Sequence, residues 1–289
     1  MLRIRPECIP CILSTGVRIA KMATCDPELH RLTISEMVRR LSEITWDEVP
    51  LELSYTAQRI VEKVTKIHDP YQEIKSKSNR IFLDKYDDLR SLVAGAADPL
   101  EAAVRLAIAG NDIDFGSYAV MDFEQPVKKA FKTLAINDYA EFKQAVMKSR
   151  SLIYFLDNAG EIVFDRLLIE TMNDVKKGSN QFNNISLVVR ELPVLNDVTL
   201  GDVVEVGLTN IPNASVILVG DGSGDAPSFR SDEIRRKVRE YDLVIFKGQA
   251  NFEIFEDMSN AFFLLTIKCP LVAGILGVEV GSMVLKHSR

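Results

Sequence analysis

The chain of 289 residues is long enough for two domains, or for one large domain with an extension. Hydrophobic residues make up 47% of it and charged residues 26%, which excludes an intrinsically disordered protein. Because 41 acidic residues outnumber 35 lysines and arginines, the net charge of −6 provides no overall positive field for a polyanion. We therefore expect no nucleic-acid partner, and any phosphate must be bound locally.

The sequence lacks the pattern of a membrane-spanning helix or a secretory signal. Its most apolar stretch lies between Lys268 and Glu279, which makes it shorter than the roughly 20 apolar residues that cross a bilayer. Near the N-terminus, Pro10 and Arg18 break the apolar core that a signal peptide needs. Four cysteines in a chain of this length do not form a disulfide framework. The sequence predicts a cytoplasmic protein without a membrane partner and leaves its oligomeric state open.

Residues 10 to about 148 show a helical pattern almost throughout. Between residues 28 and 44, apolar residues recur every three or four positions and form one packing face. Four prolines stand near the predicted helix starts, where a missing N–H is tolerated: Pro50, Pro70, Pro99 and Pro126. We therefore predict six to eight helices in an N-terminal domain that spans residues 1–148.

After about residue 150, short apolar runs alternate with amphipathic stretches. The runs are rich in β-branched and aromatic residues and cover 151–156, 185–189, 215–220, 242–246, 262–267 and 281–285. Stretches long enough for helices separate them, which is typical of βαβ units around a parallel sheet. The sequence therefore predicts an α/β fold in which a helical N-terminal region packs on a mostly parallel sheet of residues 149–289.

Polar residues follow these runs at the edge of the sheet where ligands bind in parallel folds. Asp157 and Asn158 follow the first run, and Asp197 comes after the second. Two carboxylates and an amide oxygen are hard ligands suited to Mg²⁺, Mn²⁺ or a similar divalent ion. The pattern favours a metal site of these three residues, although an Asp-Asn pair before a helix can also serve only as a cap.

The other residues at this edge have a functional and a structural interpretation. Lys247 either neutralises the carboxylates or binds a phosphate, and we favour the second. Gly248 permits close approach of the backbone, and Asn251 either caps a helix or donates to a substrate oxygen. Asp221 is equally well explained as a turn residue, whereas Glu161 is a spare carboxylate that could act as a base or orient other groups.

Several enzyme classes lack their sequence signatures here. The chain contains neither a GxxxxGK[ST] phosphate loop nor a GxSxG nucleophile elbow. Only three histidines are present, and none lies in the loops at the strand ends, which disfavours zinc hydrolysis by histidine ligands. A phosphatase that uses carboxylates and a metal ion remains.

The sequence resembles the damage-control phosphatase family along most of its length. The similar segments are FLDNAGEIVFD (155–165), LPVLNDVT (192–199), FKGQANFE (246–253), KCPLVA (268–273), DPYQEIKSKSN (69–79) and AGNDIDFG (109–116). The resemblance implies a Rossmann-like α/β/α domain and hydrolysis of phosphate monoesters with Co²⁺, Ni²⁺, Mn²⁺ or Mg²⁺. The implied substrates are sugar phosphates and related or damaged phosphometabolites. It also implies that Asp157, Asn158 and Asp197 bind the metal and that Lys247 faces the phosphate.

The same resemblance leaves several roles open. Asn111 and Asp114 are expected to face the cleft, or else to form a helix cap and a turn. The nucleophile is either metal-bound water or a carboxylate. An S-adenosylmethionine-dependent carboxyl methyltransferase is the alternative function, because this activity was proposed for a eukaryotic relative, and a non-catalytic sugar-phosphate-binding protein is the third.

Cys8 and Cys11 form a CxxC motif that is similar to that of the archaeal and bacterial branch of the family. The motif has three interpretations: half of a zinc site, a redox pair, or a feature of the core. No second CxxC completes a zinc site, so the missing ligands would have to be Cys25, His30 or Cys269.

Overall fold

A seven-stranded sheet flanked by helices organises the computed structural model, which describes residues 1–111, 124–176 and 180–289. The strands are β1 (Leu134–Asn137), β2 (Ser151–Phe155), β3 (Asn184–Arg190), β4 (Ala214–Val219), β5 (Leu243–Lys247), β6 (Ala261–Thr266) and β7 (Met283–Ser288). The helices before β2 are α1 (Cys8–Ala23), α2 (Pro27–Ser42), α3 (Pro50–Thr65), α4 (Gln72–Leu83), α5 (Tyr86–Ala94), α6 (Pro99–Gly110), α7 (Glu124–Ala130) and α8 (Tyr139–Lys148). Those after β2 are α9 (Ile162–Lys176), α10 (Leu200–Val206), α11 (Asp232–Val238), α12 (Gly248–Phe255) and α13 (Pro270–Leu276).

The order of the strands determines where a ligand can bind. The sheet runs β1-β7-β6-β5-β2-β3-β4, and every neighbouring pair is parallel except β6 and β7. From β2 the chain moves outward to β3 and β4, then returns to place β5 on the other side of β2. This reversal opens a crevice at the carboxyl ends of β2 and β5, which is the usual ligand site of doubly wound sheets.

Alternate side chains of the central strands enter two separate cores, one on each face of the sheet. On β2, Leu152 and Tyr154 join the core that contains α6 and α9, whereas Ile153 and Phe155 join the core that contains α12. A third cluster lies among α1, α2 and α3. Burial on both faces explains why these strands read as continuous apolar runs in the sequence.

The predicted α/β fold with a helical N-terminal region and a mostly parallel sheet is confirmed. Each of the six apolar runs forms a strand, and eight helices begin before residue 149 in the described ranges. The sequence did not predict β1, which pairs with β7 and so places one strand of the sheet before the proposed boundary. The division into domains 1–148 and 149–289 stays a prediction. In the described parts of the chain, none of the helices combines the length and the apolar character required to traverse a membrane.

Candidate active site

The carboxyl ends of β2 and β5 meet in the crevice and bring Asp157 against Gly248. Asp157 follows β2 by two residues, and Gly248 is the first residue of α12, directly after β5. The backbone of Gly248 has a φ of 75°, a conformation that favours glycine. A β-carbon at position 248 would overlap the carboxylate of Asp157. Glycine is therefore needed here both for the turn and for room beside the carboxylate.

Backbone hydrogen bonds between two loops bring the three predicted metal ligands together. Asn158 and Asp197 form an isolated antiparallel bridge. The N–H of Val198 donates to the carbonyl of Asp157 at 2.9 Å, and the N–H of Ala159 donates to the carbonyl of Asn196 at 2.9 Å. The loops after β2 and β3 are thus paired, which holds Asp157, Asn158 and Asp197 at one edge of the sheet.

Two amide side chains bind the same pair of carboxylates. Nδ2 of Asn111 donates to Oδ2 of Asp157 at 2.7 Å and to Oε2 of Glu161 at 2.9 Å. Nδ2 of Asn158 donates to the same two oxygens, at 2.6 and 3.2 Å. Asn111 is itself oriented by the N–H of Thr266, which donates to its Oδ1 at 3.2 Å. The amides therefore fix which oxygen of Asp157 stays available.

Three oxygens remain for a cation after these bonds are made. Oδ1 of Asp157, Oδ1 of Asn158 and Oδ1 of Asp197 accept no hydrogen bond from the residues within 1–111, 124–176 and 180–289. Hard oxygen donors of this kind suit Mg²⁺, Mn²⁺, Co²⁺ or Ni²⁺, with water and substrate completing the coordination. Over these ranges no group of three His, Cys, Asp or Glu side chains is arranged for a metal, and a cation at this site would take the amide oxygen of Asn158 as its third protein donor.

Lys247 lies below this edge rather than at its surface. Its side chain is fully buried, and Nζ donates to Oε1 of Glu161 and to Oδ1 of Asp165, both at 2.6 Å. The hydroxyl of Tyr154 also donates to Oδ1 of Asp165, at 2.7 Å. Although burial disfavours the cation, Asp165 and Glu161 raise the pKa of Lys247 above its usual value. The structure therefore places the predicted phosphate contact between two carboxylates.

A second buried cation orients Asp197. Nε of Arg190, the last residue of β3, donates to Oδ2 of Asp197 at 2.8 Å. Its Nη2 donates to Oδ1 of Asn251 at 3.2 Å, and Nδ2 of Asn251 donates to the carbonyls of Leu156 and Lys247 at 3.0 and 2.7 Å. The amide of Asn251, predicted to contact substrate, thus bonds to protein groups and connects α12 to β2, β3 and β5.

The buried charges around the crevice do not balance. If all four were ionised, the carboxylates of Asp157, Glu161, Asp165 and Asp197 would carry two more negative charges than the buried cations Arg190 and Lys247 neutralise. Burial, reinforced by Glu161 and Asp197, raises the pKa of Asp157 to about 7. Burial also raises the pKa of Asp197. A divalent cation would neutralise this excess, so charge and donor chemistry agree.

Helix α4 of the N-terminal region supports the turn that carries these residues. Oδ1 of Asn79 accepts a hydrogen bond from the N–H of Gly160 at 2.6 Å, and Nδ2 donates to Glu205 at 2.9 Å. Lys75 is buried and pairs with Asp202, at 2.8 Å. The polar groups of the segment DPYQEIKSKSN therefore support the site indirectly, because they bind the turn after β2 and helix α10, which follows the loop that carries Asp197.

The remaining predicted residues lie apart or outside the described ranges. Asp114 belongs to residues 112–123, which are not among the described residues. Asp221 forms a turn, since it accepts hydrogen bonds from the N–H and hydroxyl of Ser223 at 3.0 and 2.6 Å, and it pairs with Arg59. Burial raises the pKa values of the Cys8 and Cys11 thiols, and the role of their CxxC motif stays open.

Arg190 and Asp165, which hold Asp197 and Lys247 in place, have no predicted role from the sequence. Both carry a recognisable signal. Arg190 is a charged residue at the end of a strand whose preceding side chains are buried. Asp165 stands four residues after Glu161, which directly precedes α9, and this spacing places the two carboxylates on the same side. A charge inside an apolar run indicates a buried ion pair, although the run does not reveal the partner.

The chain is similar to known proteins along nearly its whole length. The profile of the damage-control phosphatase ARMT1-like domain matches residues 4–284. A protein of Archaeoglobus fulgidus named damage-control phosphatase is 31% identical, with 99% of each chain covered. A damage-control phosphatase of Pyrococcus horikoshii is 30% identical over 100% of this chain and 99% of its own. The crystal structure of a DUF89 family protein from Pyrococcus horikoshii matches with a TM-score of 0.82 and 28% identity, covering 100% of both chains.

Proposed function

The chain belongs to the damage-control phosphatase ARMT1-like family, and we propose that it hydrolyses phosphate monoesters with a divalent metal ion. Family membership makes it a phosphatase that acts on damaged metabolites. The proposed substrates are small phosphorylated metabolites, including sugar phosphates and their damaged forms. The metal would be held by Asp157, Asn158 and Asp197. The cytoplasmic location stays a prediction.

One observation carries this proposal: the paired loops after β2 and β3 bring Asp157, Asn158 and Asp197 to the reversal point of the sheet, and each has an oxygen that accepts no hydrogen bond from the described residues. Mg²⁺, Mn²⁺, Co²⁺ and Ni²⁺ all accept such donors, so the choice among them depends on availability and geometry. A bound divalent ion would supply Lewis-acid stabilisation of the charge on the transferred phosphoryl group.

The chain's own residues would position the reacting groups. Asn111 and Asn158 hold Oδ2 of Asp157, so its Oδ1 is the oxygen that would contact the metal. Glu161 already accepts hydrogen bonds from both amides and from Lys247, which makes it a positioning residue. Gly248 begins α12 beside Asp157, and the free N–H groups of this first turn would bind phosphoryl oxygens.

The test compares metal-free and metal-loaded protein. We expect hydrolysis of p-nitrophenyl phosphate and of a panel of sugar phosphates only after Mg²⁺, Mn²⁺, Co²⁺ or Ni²⁺ is added. Asp157→Ala and Asp197→Ala should abolish both this activity and metal binding measured by calorimetry, because each removes a carboxylate ligand. Glu240→Gln, at an exposed position next to the opposite edge of the sheet, is the matched control and should behave as wild type.

Three results would contradict the proposal. Equal hydrolysis by chelator-treated and metal-loaded protein would exclude metal dependence. Saturable binding of S-adenosylmethionine without phosphate release would instead favour the methyltransferase, and thermal shifts with sugar phosphates without hydrolysis would indicate a binding protein.

A further inference from the structure

The CxxC motif of Cys8 and Cys11 is a feature of the sequence that the proposed phosphatase function does not use. Cys8 is the first residue of α1, and Cys11 follows three positions later, at the next turn of the helix. Both are free thiols. The chemistry open to the motif depends on the surroundings of the two side chains and on their spacing along the helix.

The two thiols have different surroundings. Cys8 is half-buried and packs against the apolar cluster among α1, α2 and α3, and its Sγ accepts a hydrogen bond from the N–H of Arg5 at 3.5 Å. Ile12, one turn after Cys8, is buried in the same cluster. Cys11 is exposed to solvent. A cysteine pair that only filled the core would have both side chains buried, so the exposure of Cys11 disfavours the core interpretation.

The spacing of the two cysteines brings their side chains close to the geometry of a disulfide. Residues three positions apart on a helix are neighbours, with β-carbons about 5–6 Å apart. A disulfide needs β-carbons about 3.5–4.5 Å apart. The bond between Cys8 and Cys11 therefore requires the first turn of α1 to tighten by about 1–2 Å.

The first turn of α1 is weakly held and can make this movement. Within the described part of the chain, the side chain of Glu7 makes no capping hydrogen bond to the helix, and the first turn contains no acidic residue that would favour the helix dipole. Pro10 lies between the cysteines and has no N–H to lose. The start of the helix can therefore rearrange at little cost in hydrogen bonds.

The chain on both sides of this turn is fixed, which confines the rearrangement to a few residues. Before the turn, the N–H of Ile4 donates to the carbonyl of Glu48 at 2.9 Å, and the side chain of Ile4 is buried. After the turn, Ile12 holds α1 to the cluster that it shares with α2 and α3. A disulfide between Cys8 and Cys11 would thus change the segment between Ile4 and Ile12 and leave the rest of the fold in place.

The acidity of the thiols is compatible with oxidation of the pair. Partial desolvation raises the pKa of Cys8 and of Cys11 above the usual value for a thiol. Dithiols that resist oxidation have a stabilised thiolate, which is the opposite case. The reduced form of this pair gains no such stabilisation, so the disulfide can compete with it.

We propose that Cys8 and Cys11 form a reversible disulfide and make the start of α1 a site of oxidation by small disulfides such as oxidised glutathione. The exposed Cys11 thiolate attacks one sulfur of the small disulfide, breaks its S–S bond and releases one thiolate. The Cys8 thiolate then attacks Sγ of Cys11, forms the protein disulfide and releases the second thiolate. The two protein thiols lose two electrons and two protons, and the small disulfide gains them as two thiols. This inference does not depend on the proposed phosphatase function.

The test equilibrates the full chain in glutathione buffers with the reduced form in excess and then alkylates the remaining thiols under denaturing conditions. The tryptic peptide of residues 4–18 contains Cys8 and Cys11 and no other cysteine. Mass spectrometry should show that this peptide loses both alkyl groups as the share of oxidised glutathione rises, and regains them after dithiothreitol. Cys25 is the internal control, because it is exposed but has no second cysteine one helical turn away, so it should stay alkylated.

The variants Cys8→Ser and Cys11→Ser should each keep the remaining cysteine alkylated in the same buffers, since neither can close the bond. If the wild-type peptide keeps both alkyl groups in every buffer, or if either cysteine pairs with Cys25 or Cys269 instead, the inference is wrong. Protection that a chelator reverses and dithiothreitol does not would indicate bound zinc and would also overturn it. The wild-type measurement decides the question even if a variant fails to fold.

Discussion

Nζ of Lys247 lies 2.6 Å from Oδ1 of Asp165, and neither side chain is exposed to solvent. A second bond of the same length joins Lys247 to Glu161. A buried ion pair contributes little more to folding stability than an apolar pair of similar volume. Removing one partner, however, is strongly destabilising because it leaves an uncompensated buried charge. The ion pair between Lys247 on β5 and Asp165 on α9 therefore affects both the stability of the fold and the geometry of the site.

Lys247→Met should lower the free energy of unfolding by about 3–5 kcal/mol, because it leaves two carboxylates buried without their cation. Urea denaturation measures this loss. The double variant Lys247→Met with Asp165→Asn should be more stable than the single variant, since one of the two charges is then absent. A variant of wild-type stability with a selectively raised KM would show instead that Lys247 contacts the phosphate.

Gly248→Ala should abolish activity and metal binding. The new β-carbon would overlap the carboxylate of Asp157, and alanine is strained at a φ of 75°. Gly274→Ala is the matched control, because nothing lies within 4 Å of the position of its β-carbon in α13. That control should be stabilised by about 0.5–1 kcal/mol, since alanine favours helices. Calorimetric metal binding and thermal denaturation check both variants, and full activity in Gly248→Ala would contradict the geometry.

Glu253 gives the stability of the protein a dependence on pH. Burial raises the pKa of its carboxyl group to about 7 from an ordinary value of 4.5, and among the described residues only Gln249 donates a hydrogen bond to this carboxyl, at 2.8 Å. Because the folded state favours the neutral carboxyl, its contribution to stability is complete below about pH 4.5 and is lost as the pH rises through about 7.

Glu253→Gln should remove this loss and stabilise the protein by up to about 3 kcal/mol above pH 7, with little effect near pH 4. Urea unfolding at a series of pH values provides the measurement, and exposed Glu240 replaced by Gln is the control. If the stability of Glu253→Gln runs parallel to that of wild type over the whole range, the carboxyl is not neutral in the fold.

The inner strands of the sheet were predictable because they are buried on both faces. Continuous apolar runs such as 151–156 have no other stable place in a protein of this size, and each of them forms a strand. Strand β1 was not predicted because most of its residues are not buried. It has four residues, of which only Leu134 is buried, and it lies at the edge of the sheet. Its pairing with β7 depends on a partner about 150 residues away, which local pattern does not reveal.

The predicted ligands could be placed for a topological reason, whereas the role of Lys247 could not. Parallel strands deliver the residues after them to one edge, so Asp157 and Asp197 were expected to meet there. Whether a lysine at a strand end points to solvent or inward depends on its neighbours. Glu161 and Asp165 reach Lys247 from a different element, through contacts separated by 86 and 82 residues. The roles of the metal and of the ligand residues stay predictions until they are measured.

The amide of Asn111 comes from the end of α6, yet it holds Asp157, which follows β2. A chain cut in the loop between α8 and β2 would keep every proposed metal ligand on one fragment and lose the group that orients the first of them. Mixing the two fragments should therefore regain catalysis only if they reassociate. The helical half of a homologue could replace this one only if it also carried the side chain of Asn111.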